Sequence, residues 1–262
     1  MIASVRSEWL KLRTTAVPWV LGGIALVITA LSILLIFVNG STTGPGSGTG
    51  TTHAGTIPHS PQELRNLVGA GLGSYIFALL LGTLCVTSEF RHKTVTTSFL
   101  VTPRRPRFVG AKLLTSAILS AVLAVVLLVA TVIGGGLALA AKGGSFSDMV
   151  HQIPSVAPGM ILVFALFGIL GVGVGSVLTN QIAAIIVCLG WFLILEQIIV
   201  ALWHGTARWV PSGAASAASN LTRGRGADFG LFNAWQGALL MLLYGLVFAV
   251  VGSVILTRRD IT

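Results

Sequence analysis

The chain has 262 residues, 54% of them hydrophobic and 9% charged, with a mean hydropathy of +0.93, a composition outside the range of soluble domains. It specifies an all-α integral membrane protein. The formal net charge of +9 does not point to nucleic acid, because the basic residues are divided among separate loops and no folded basic domain presents them.

Residues 1–15, MIASVRSEWLKLRTT, read as an interfacial helix: Ile2, Val5, Trp9 and Leu12 recur at helical spacing on one face. Lys11 points away from that stripe, while Arg6 and Arg13 flank it and can snorkel to lipid phosphates. The other reading of these residues is an unstructured basic tail. A span needs about 20 apolar residues to cross roughly 30 Å of hydrocarbon, and six segments qualify: 17–38, 67–87, 113–141, 156–178, 182–203 and 235–257. The first is longer than the apolar core of a secretory leader, and no small-residue cleavage pattern follows it, so it is expected to be retained.

Residues 39–61 are rich in Gly, Thr, Ser and Pro and contain no Lys or Arg, which predicts a flexible external loop. His53 and His59 fall in it and do not suggest a metal site. Gly69, Gly71 and Gly73 in the second span and Gly168, Gly171, Gly173 and Gly175 in the fourth suit close helix packing. Gly134 to Gly136 predict a weak or bent stretch in the third. Cys85 and Cys188 both lie in spans, so no disulfide or metal framework is implied. A tight turn is expected at Thr179–Gln181. The segment 204–233 precedes the last span, and its small-residue run GAASAAS predicts a short helix lying on the outer surface.

With both termini cytoplasmic, Arg6, Lys11, Arg13, Arg91, Lys93, Arg104, Arg105, Arg107, Lys112, Arg258 and Arg259 fall inside, and Arg65, Lys142, Arg208, Arg223 and Arg225 outside. That bias favours an N-in, C-in topology.

Chemistry in the membrane needs ionisable groups at depth. None of the five His residues lies well inside a span, which counts against a Ser/His dyad, an HExxH zinc site and a bis-His haem. There is no GxxxxGK[ST] phosphate loop either. Glu196, in WFLILEQ, is the acid that stands out, ~21 Å along the fifth span at 1.5 Å per residue. Burial there favours its neutral form unless a cation is near. Two readings stand: a polar point on a translocation path, or an interhelical hydrogen bond to Gln197 or a backbone group.

Residues 88–112, SEFRHKTVTTSFLVTPRRPRFVGAK, join the second and third spans. Pro103 and Pro106 flank Arg104 and Arg105, which predicts a short helix followed by a rigid turn. From the residues alone this is either a docking segment or one of the many basic inner loops.

Five stretches, SEWLKLRTT, SEFRHKTVTTSFLVTPRRPRFVGAK, GVGVGSVLTNQIAA leading into WFLILEQ, ARWVPSGAA and TRRDIT, extend over nearly the whole chain. In order and placement it resembles the membrane permease subunits of ATP-binding cassette (ABC) transporters of the type-2 family, especially compact six-span members typical of actinobacteria. The resemblance implies a bacterial plasma-membrane exporter, a homodimer or close heterodimer bound to two copies of a separate cassette ATPase. ATP and Mg would sit on that partner, with no cofactor on this chain. It also implies an interfacial N-terminal helix carrying Trp9, Lys11 and Arg13, and a cytoplasmic coupling helix within 88–112. By motif match the coupling role falls on Glu89, Phe90, Arg91, Thr94, Thr96, Thr97 and Phe99. Cargo, amphipathic or hydrophobic, would pass between subunits along faces supplied mainly by the second and fifth spans. Two other classes stay open: a stand-alone carrier or channel using Glu196, and a membrane scaffold.

Overall fold

The computed structural model describes residues 15–39, 58, 60–91, 105–178, 180–221 and 232–258. The expected interfacial helix with Trp9, Lys11 and Arg13, nearly all of the 39–61 loop, and Thr94, Thr96, Thr97 and Phe99 of the coupling segment lie outside the described residues.

The described residues are helical and contain no strand. In chain order they form α1 (Ala16–Asn39), α2 (Pro61–Val68), a 3₁₀ segment (Gly69–Ser74), α3 (Tyr75–Arg91), α4 (Arg105–Ala141), α5 (Phe146–Val150) and α6 (Ile153–Val177). There follow α7 (Gln181–Gly190), a π segment (Trp191–Leu195), α8 (Glu196–Leu202), a 3₁₀ turn (His204–Thr206), α9 (Pro211–Ala218) and α10 (Ala234–Arg258). Six stretches are long and apolar enough to cross a membrane: Ala16–Val38, Pro61–Arg91, Val109–Ala141, Ile153–Val177, Gln181–Leu202 and Ala234–Gly252. Each overlaps one expected span.

Two boundaries differ, each for a local reason. Pro61 opens a helix instead of closing a loop, because Ser60 and Glu63 form a reciprocal capping box: the Ser60 hydroxyl accepts from the Glu63 N–H (3.2 Å) and the Glu63 carboxylate from the Ser60 N–H (3.1 Å). Pro106 does not interrupt helix. It sits in the first turn of α4, where an N–H would have no partner in any case. Gly134 to Gly136 lie within α4, which runs on to Ala141; Gly135 lies against Met149 and Leu67, and Gly136 against the Phe146 ring. The helix stops at Gly143, whose φ of +83° suits glycine.

At the centre stands α6, with α3, α4 and α10 against it. The glycine run explains the closeness. A Cβ on Gly171 would collide with the Leu79 carbonyl of α3, and one on Gly175 would come within 2.7 Å of the Thr83 carbonyl. Gly173, two residues from each and so on the other side of the helix, faces Phe248 of α10. Gly82 of α3 meets the backbone of Gly168 in the same way. Close packing, as expected from the sequence, is what these glycines allow.

Burial is consequently uneven. In the second span 83% of the apolar window is buried, against 17% in the fifth. Within this chain α3 is enclosed by its neighbours, whereas the fifth span is open.

Candidate functional site

The expected coupling residues divide. Glu89, in the last turn of α3, is buried, and its Oε1 accepts a 2.9 Å ion pair from the Lys112 ammonium. Lys112 is itself only 1% exposed and donates to the Cys85 carbonyl at 2.9 Å. Phe90 packs on Val109 beside Leu113, and Arg91 is exposed, donating through Nη1 to Gln181 Oε1 at 3.2 Å. The two stems of the basic segment, α3 and α4, are thus joined by a buried charge pair, and α3 is tied to the first residue of α7.

Local sequence sets this corner. α6 ends at Val177, and Asn180 caps α7 by accepting from the Ile182 and Ala183 N–H groups at 3.0 and 3.3 Å. Of the tight turn expected at Thr179–Gln181, Thr179 lies outside the described residues; Gln181, the first residue of α7, lies beside the end of α3. Lys112 stands on the face of α4 that also buries Thr115, Ser116 and Ser120, and the Ser116 hydroxyl donates to the Gly168 carbonyl at 2.9 Å. A charge on this face has no water to turn to, so pairing with Glu89 offsets the cost of burying both.

Glu196 occupies a second buried position. Its side chain is 0% exposed, and Oε1 accepts from the Ser212 backbone N–H at 2.8 Å. The hydrogen bond to a backbone group, expected by one of the two readings, is present. The fifth span buries Ala184, Cys188, Phe192 and Glu196 at four-residue spacing. A regular helix would rotate that series away from one face, and the wider turn of the π segment offsets the drift.

The partner of Glu196 is the first turn of α9, and here the expectation of a surface helix is overturned. Ser212, Gly213, Ala214, Ala215, Ala217 and Ala218 are all buried. Gly159 of α6 meets the Ala218 backbone, Gly237 of α10 meets Ala217, and the Tyr244 hydroxyl donates to the Trp209 carbonyl. The N-terminal end of α9 is packed against the fifth span at Glu196, and the residues just before it are tied to α10 through Trp209. Small residues are what permit it. Glu196 then places a carboxylate at the helix end where unpaired N–H groups point.

Among the described residues no three His, Cys, Asp or Glu side chains converge to hold a metal. Lys112, Gln181 and Ser212 are the partners that sequence reasoning missed.

Comparison with known proteins gives no family: no protein-family model matches the chain, and no curated protein matches it. The family likeness rests on the five quoted stretches.

Proposed function

We propose that this chain is the membrane-spanning permease subunit of an ATP-driven exporter, with hydrolysis of ATP on a separate cassette ATPase and Mg bound there. It works as a homodimer or close heterodimer in the bacterial plasma membrane, both termini cytoplasmic, and moves an amphipathic or hydrophobic compound, such as an antibiotic or a lipid-like molecule, out of the cell. The observation that supports this reading most is the pinned base of the 88–112 segment. A loop whose two stems are joined by a buried ion pair, with a further link from Arg91 to α7, passes a push on the loop into the second, third and fifth spans together. An untethered basic loop would absorb the push.

On this account Arg91 and the segment beyond it meet the ATPase, and Glu89 acts as a positioning residue through Lys112. Glu196, occupied with the Ser212 N–H, does not favour the stand-alone carrier. The test is affinity purification of the chain from its native membrane, followed by reconstitution. Co-purification of a cassette ATPase and cargo export that requires ATP are expected; export that persists after the ATPase is removed would sink the proposal.

A further inference from the structure

A cleft of about 640 Å³ opens between the fourth, fifth and sixth spans, within the size range of small-molecule sites. α6 forms its floor through Leu170 and Val174, the fifth span and α10 form its sides, and the segment from Thr206 to Pro211 closes one end. Among the described residues, none of those lining it is charged. Five carry aromatic rings: Trp191, Phe192, Trp209, Tyr244 and Phe248.

Several of these rings are fixed from behind. Phe192 meets Phe167 edge-on with centroids 5.4 Å apart, and Phe167 stacks on Tyr75 at 4.3 Å. Trp209 abuts Phe232 at 5.0 Å, and its carbonyl accepts from the Tyr244 hydroxyl. The segment that carries Trp209 is held in turn by Glu196 through Ser212. Such walls are preorganised for edge and face contacts with another ring. A second groove, about 360 Å³ between the first and third spans, makes the contrast: it has aliphatic walls with Trp19 as its one aromatic side chain, which is what a lipid chain needs.

We propose that the cleft between the fourth, fifth and sixth spans binds a neutral, aromatic hydrophobic small molecule that enters sideways from the bilayer. Neutrality follows from the described lining, since the nearest charges are engaged elsewhere: Arg208 lies over the Trp209 and Phe232 rings at 5.7 and 5.8 Å, and Glu196 accepts from the Ser212 N–H. Sideways access follows from the fifth span, where Val187 and Trp191 line the cleft and are also 51% and 42% exposed. Binding belongs to this chain alone and does not depend on the exporter reading.

The experiment titrates N-phenyl-1-naphthylamine, a neutral probe with two aromatic ring systems, into the full chain in phosphatidylcholine nanodiscs. Saturable fluorescence above that of empty discs is expected. Val187→Trp, which fills the cleft from its open side, should weaken binding about tenfold or more, and Trp191→Ala about fivefold. Ile186→Trp, on the neighbouring residue that does not line the cleft, should stay within about twofold of the parent chain. Overturning results are an absence of saturable binding, or equal affinities in Val187→Trp and Ile186→Trp discs. Brominated phosphatidylcholine chains whose quenching of tryptophan the probe does not relieve would assign the cleft to lipid and overturn it as well.

Discussion

Glu89 and Glu196 are both buried carboxylates, one near the end of the second span and one within the fifth, and they are held by different chemistry. Glu89 faces the Lys112 ammonium at 2.9 Å, whereas Glu196 accepts from a backbone N–H at 2.8 Å. The first arrangement needs charge on both sides. The second needs an acceptor oxygen, which a neutral side chain of the same shape also supplies. An acid in a membrane span is therefore not one kind of signal: its partner decides whether it joins two helices electrostatically or completes the hydrogen bonding of a third.

The largest expected effect comes from removing one side of the charge pair. Lys112→Met leaves the Glu89 carboxylate buried without its cation and should cost about 3–5 kcal/mol, read as a fall in thermal unfolding temperature in detergent. The double variant Glu89→Met/Lys112→Met should recover most of that loss. Equal instability of the single and double variants would break the comparison at its charged end.

Glu196 should respond to shape instead. Glu196→Ala strips the acceptor from the Ser212 N–H and should cost about 1–3 kcal/mol. Glu196→Gln keeps an oxygen in place and should lose less than about 1 kcal/mol by the same measurement. Should glutamine prove as damaging as alanine, the charge at Glu196 matters and the contrast with Glu89 fails. Smallest of all is Gln181→Ala. It removes an exposed hydrogen bond to Arg91 and should change stability by no more than about 0.5 kcal/mol, so any coupling defect it shows belongs to the link from α3 to α7.

The spans were legible because twenty apolar residues in a row admit few alternatives, and their number and approximate limits could be read before any coordinates. The glycine run in the fourth span was legible for a related reason: small residues in an apolar helix have little use except close approach. What escaped the sequence depended on pairing across distance. Glu89 could be singled out but not its burial, because Lys112 is 23 residues away and reads first as a topology charge. GAASAAS was recognised as a helix, yet its burial is allowed by Gly159 and Gly237 on two other helices. Ser60 and Glu63, by contrast, announced their capping box in four consecutive residues; the flexible composition just before them hid it.

Transport per ATP in a reconstituted complex with the partner ATPase tests the central claim most directly, with Glu89→Gln and Glu196→Gln compared side by side. If the Glu89–Lys112 pair transmits the ATPase stroke, Glu89→Gln should keep hydrolysis while cargo moved per ATP falls about tenfold, and Glu196→Gln should remain within about twofold of the parent. An unchanged ratio in Glu89→Gln, or a collapse confined to Glu196→Gln, would contradict the account.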